Sequence, residues 1–94
     1  MYDDLQIWKE ELETKKQEIL DRKENIERML EKYRNRFKIV SSIKKEEQFQ
    51  IAEKLQTEVY QYERELEEYL EKHNPELVEI EALLKKINKE LEKY

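Results

Sequence analysis

KYRNRFKIVSSIKK, residues 32–45, decides how this chain is organised. It carries Lys32, Arg34, Arg36, Lys38, Lys44 and Lys45 with no Asp or Glu among them, in a chain whose formal net charge is −5. Tyr33, Phe37, Ile39, Val40 and Ile43 interleave with these cations, and Ser41 with Ser42 is the best place to interrupt a long helical pattern. The stretch predicts a basic, partly apolar elbow between two long helices.

The phase of the apolar residues on either side is the reason to expect a break. Before the elbow they run Leu5, Trp8, Leu12, Ile19, Ile26, Leu30, Tyr33, Phe37 and Val40, at spacings of three, four or seven. After it they run Ala52, Leu55, Val59, Tyr62, Leu66, Tyr69 and His73, alternating three and four as a coiled-coil seam does. Carried forward, the first stripe lands on Lys44, Glu47, Ile51 and Lys54, one residue away from the second, or about 100° around a helix. The chain must therefore turn, kink or bulge between Val40 and Phe49. Ser41 or Ser42 is a candidate N-cap for helix two, with Glu46 and Glu47 near its positive end. A kinked continuous helix is one alternative, since no Gly supports a tight turn. A short strand over Tyr33 to Val40, where apolar and basic residues alternate, is another.

At the N-terminus, Asp3 is placed to cap helix one and Gln6 to reach back to it, with Tyr2 and Ile7 as a hydrophobic staple. Lys16 and Lys23 interrupt the first stripe, and their aliphatic stems can cover the gap while the ammonium groups reach water. Asn74–Pro75 predicts another helix start, because Asn is a favoured N-cap and Pro at the first helical position gives up an amide that has no partner there. Leu77, Ile80, Leu84, Ile87, Leu91 and Tyr94 would then form the apolar stripe of helix three.

The sequence thus predicts one all-α domain, an elongated antiparallel helical hairpin or three-helix bundle with coiled-coil-type seams. Helix one covers about 3–40, the elbow 32–45, helix two about 43–73 and helix three 75–94. The expected core includes Leu55, Val59, Leu66, Leu77, Ile80, Leu84, Ile87 and Leu91. Composition agrees: 94 residues, 46% of them charged, with no Gly and one Pro, describe long helices with solvated outer faces.

Several function classes find no residues to carry them. Without Cys there is no disulfide framework, thiolate metal site or cysteine nucleophile. Without Gly there is no phosphate-cradling loop. The single His73 has Leu70 three residues before it, so the Glu-x-x-His signature of di-metal bundles is missing. The carboxylates Glu63, Glu65, Glu67, Glu68 and Glu71 fit a solvated helix face. A non-enzyme with no cofactor and no metal is the expectation. No apolar run is long enough to span a membrane, and the acidic start, Met1 to Asp4, is unlike a secretory signal; a cytoplasmic location is expected.

Charge is segregated along the chain, with net −4 over residues 1–31, +6 over 32–45 and −7 over 46–94. The expected function is a non-catalytic helical module for protein–protein interaction or oligomerisation, of scaffold, adaptor or inhibitor type. Its candidate partner-binding residues are Tyr33, Arg34, Arg36, Phe37, Lys38, Lys44 and Lys45, and a homodimer is the favoured oligomer. The alternative is nucleic-acid binding through the same elbow, with Tyr33 or Phe37 stacking on a base. Acidic flanks that repel phosphate weigh against it.

Overall fold

The computed structural model describes residues 1–43 and 45–94, apart from the side chains of 45–49. It contains two α-helices, α1 (Tyr2–Ser41) and α2 (Lys45–Leu91), with no strand among the described residues. The chain divides into two units, one formed by Met1–Arg22 with Leu70–Tyr94, the other by Lys23–Tyr69. Each pairs a stretch of α1 with a stretch of α2.

α1 begins one residue earlier than its expected cap. The Met1 carbonyl accepts from the Leu5 amide at 3.0 Å, and Asp3 and Asp4 lie in the first turn, where the helix dipole favours carboxylates. Gln6 does not reach back to Asp3; its amide donates to the Tyr2 hydroxyl at 3.2 Å. At the other end the chain breaks where the two stripes fall out of phase, and neither the kinked continuous helix nor the strand over Tyr33 to Val40 forms. Glycine is not needed there. The Ser41 hydroxyl donates to the Phe37 carbonyl at 2.7 Å and the Ser42 hydroxyl to the Ile39 carbonyl at 2.6 Å. The amides of Ser42 and Ile43 close onto Ile39 and Val40 at 3.1 and 3.0 Å. Ser42 thus helps satisfy the Ile39 carbonyl at the end of α1, and Ser41 adds a second donor to the Phe37 carbonyl, where the sequence offered both as N-caps of the next helix.

The turn expected at Asn74–Pro75 does not form. α2 continues from Lys45 to Leu91 with Pro75 inside it, which rules out the three-helix bundle and makes the expected helices two and three a single element. An interior proline costs about 3 kcal/mol, since it removes an amide donor and crowds the carbonyl four residues back. Two features limit that cost. Glu71, Asn74 and Pro75 are all exposed, so water is at hand for the carbonyl that loses its partner. Val59, Leu66, His73, Ile80 and Ile87 follow at steps of seven across the proline, so an unbroken helix keeps its apolar stripe in phase on both sides.

Each unit buries a thin core. In the first, Ile19, Ile80 and Ile87 are buried, flanked by half-buried Leu5, Leu12, Leu77, Leu84 and Leu91. The ring of Tyr2 meets the edge of Tyr94 at 5.7 Å, and Lys16 pairs with Glu81 at 3.6 Å, so the two stretches run antiparallel. In the second unit Ile26, Leu30 and Val59 are buried, with Tyr33, Leu55, Tyr62 and Leu66 half-buried around them. Of the eight core residues expected, Val59, Ile80 and Ile87 are buried and the five leucines are half-buried. One helix facing another shields only the middle of an apolar stripe. Lys16 and Lys23 are half-buried at their stripe positions.

Candidate functional site

The basic elbow lies in the unit formed by Lys23–Tyr69. Tyr33 is on the α1 stripe, which turns its ring to α2, where it stacks on Tyr62 with centroids 5.4 Å apart and planes 11° from parallel. The next residue on each helix makes the neighbouring contact: the Arg34 guanidinium donates to Glu63 Oε1 at 3.0 Å. Lys32 Nζ and the Arg36 guanidinium carbon each stand 5.5 Å from the Tyr33 ring centroid, within cation–π range. Tyr33 also donates its hydroxyl proton to the Glu58 carboxylate. That hydrogen bond, and then the charge of Glu58, hold the phenol proton and raise its pKa above the usual value, with Arg36 pulling weakly the other way.

Of the residues expected to bind a partner, Tyr33, Arg34 and Arg36 thus come together at the contact between α1 and α2. Phe37 is half-buried, and Lys38 is exposed. Lys44 and the side chain of Lys45 lie outside the described residues. The charge of Arg34 is offset by Glu63, which leaves Lys32, Arg36 and Lys38 as exposed cations at the end of α1.

Motif reasoning left isoleucines out of the site. Ile39, directly after Lys38, is 66% exposed, and Ile43, just past the end of α1, is 44% exposed. Ile51, on the second turn of α2, is also exposed. The signal was available: Ile39 falls off the stripe of Tyr33, Phe37 and Val40 and so could not belong to the core.

His73 sits within α2. Its Nδ1 lies 3.2 Å from Glu76 Oε2, while Glu76 Oε1 lies 3.7 Å from Lys15 Nζ. Among the described residues no group of three or more carboxylate or imidazole side chains gathers to hold a metal ion, and no helix is long and apolar enough to cross a membrane. No protein-family model matches the chain, and no curated protein or solved structure shows significant similarity to it.

Proposed function

We propose that the chain is a non-catalytic helical interaction module whose basic elbow docks on an acidic patch of another protein. Support comes chiefly from exposed Ile39, directly after Lys38 and three residues from Arg36, and from exposed Ile43 just past the end of α1. Exposed bulky aliphatics beside arginine and lysine suit a protein interface with an apolar centre and a charged rim. They offer nothing to a phosphate backbone. The pairing of Arg34 with Glu63 withdraws one of the cations a nucleic acid would need, and the stacking of Tyr33 on Tyr62 occupies a face that a base would use. Coiled-coil pairing of the apolar stripes, and self-association through their half-covered flanks, belong to the same reading. A cytoplasmic setting fits it.

The test is capture from the source cell with the wild-type chain and with Ile39→Asp and Arg36→Glu/Lys38→Glu variants. Each captured protein is then purified and titrated calorimetrically at low and physiological salt, with generic single- and double-stranded DNA and RNA as parallel probes. The expected result is one directly binding protein with an acidic surface, lost on Ile39→Asp and weakened by the charge reversal. Binding to nucleic acid that survives physiological salt, is indifferent to Ile39→Asp and vanishes on charge reversal would overturn the reading.

A further inference from the structure

Lys32, Arg36 and Ile39 follow one another at steps of four and three on α1, which places them within about 60° of arc along one side of the helix. All three are exposed, and exposed Ile43 follows just past the helix end, its amide held to the Val40 carbonyl at 3.0 Å. Two cations thus precede two isoleucines on one face. We infer that the docking partner lays an acidic amphipathic helix along this face, with carboxylates opposite Lys32 and Arg36 and apolar side chains opposite Ile39 and Ile43. The inference rests on the docking reading and names the part of the partner that docks.

Two observations choose that occupant. The first is charge, and it is local to this face. No carboxylate stands three or four residues from Lys32 or Arg36 on α1, whereas Lys9, Arg28 and Arg64 each meet a glutamate one turn away, at 4.0, 3.5 and 3.6 Å. Among the large apolar side chains described as exposed, only Ile39 has a cation and no carboxylate three or four residues away in sequence. An acidic ligand is therefore attracted here and opposed beside Ile7, Trp8, Tyr60 and Val78, each of which has a carboxylate at that spacing. Lys32 and Arg36 each stand 5.5 Å from the Tyr33 ring centroid, which orders their charges before binding. The second observation is shape. A single helix face is convex, and from Lys32 to Ile39 this one runs about 10 Å along the axis. A helix laid alongside meets cations and isoleucines in order, through its own residues three and four apart. An extended peptide finds no sheet edge among the described residues. A lipid surface met by the end of α1 would leave Lys32 about 10 Å behind Ile39.

The probes are two peptides of about 20 residues that set two glutamates and then two leucines on successive turns of one helical face, one peptide for each chain direction. Each is titrated calorimetrically into the full chain, with circular dichroism reading helix gained on binding and anionic phosphatidylserine vesicles as a parallel arm. One peptide should bind and gain helix, and its scrambled counterpart should bind at least about tenfold more weakly. Ile39→Asp and Lys32→Glu should each weaken binding about tenfold or more, and Lys38→Glu, about 120° around the helix from Lys32, by about threefold or less. A peptide with lysines for its glutamates should bind Lys32→Glu/Arg36→Glu to within about threefold of the original pair. Circular dichroism verifies that each variant keeps the wild-type helix content. Absence of peptide binding up to about 1 mM overturns the inference. So does binding without helix gain, binding that ignores Lys32→Glu, or capture by the vesicles alone. If the peptides fail while an acidic protein still binds and is lost on Ile39→Asp, the docking reading stands and only the helix falls; if nothing responds to Ile39→Asp, both fall.

Discussion

Replacing Pro75 by alanine tests whether α2 is truly one helix. Inside a helix, the substitution restores an amide at position 75 that can donate to the Glu71 carbonyl, and removes the ring that crowds it. The intrinsic difference between the two residues is about 3 kcal/mol in favour of alanine. Proline recovers part of this by restricting the unfolded chain, an effect of about 0.4–1 kcal/mol where its geometry is tolerated. Pro75→Ala should therefore stabilise the protein by about 2–3 kcal/mol, raising the melting temperature by an amount of order 10 °C for a chain of this size. Asn74→Ala carries the same sign, at about 0.5 kcal/mol, because asparagine is a poorer helix former than alanine. At the start of a separate helix both signs would reverse or vanish: proline suits the first helical position, and losing an asparagine N-cap costs about 1 kcal/mol. Urea unfolding followed by circular dichroism reads the difference, with protein concentration held fixed because any self-association shifts the midpoint. A Pro75→Ala variant no more stable than the wild type, together with a destabilised Asn74→Ala, would refute the continuous helix.

Two further outcomes follow from the packing. Ile26→Ala should cost about 2–5 kcal/mol, since its side chain is buried to 3% exposure, while Ile39→Ala should stay within about 0.5 kcal/mol of the wild type; equal effects in urea melts would contradict the burial of one and the exposure of the other. Tyr33 should make stability depend on alkaline pH. Its folded-state pKa lies above the ordinary value, so the contribution of its bond to Glu58 is complete below pH of about 10 and is lost as pH rises through the raised value. Relative to Tyr33→Phe, the wild type should hold a stability advantage at neutral pH that closes above pH of about 10; an advantage unchanged across that range would count against the hydrogen bond.

Both junctions of the chain were open to one physical test, the phase of the apolar stripe on either side. Across residues 40–52 the apolar stripe slips by one residue, about 100°, and there the helix ends. Across Pro75 it does not slip at all, because Leu66, His73 and Ile80 stand seven apart, and there the helix continues. Local residue preference pointed to a turn at Asn74–Pro75, but such preferences weigh only a few kcal/mol against a stripe that stays in phase on both flanks. The candidate site was less readable for a related reason. Periodicity places Tyr33 and Arg34 on faces of their own helix, yet it contains no register between helices, so their pairing with Tyr62 and Glu63 could not be derived from spacing. The same gap hid the placing of Leu83 and Ile87 beside Leu5 and Trp8, since it too rests on the register between helices. Spacing also held a signal that went unread: Ile39 falls off the stripe of Tyr33, Phe37 and Val40, and its side chain is 66% exposed. On the docking reading, that residue supplies the apolar contact which the run of positive charge around it does not.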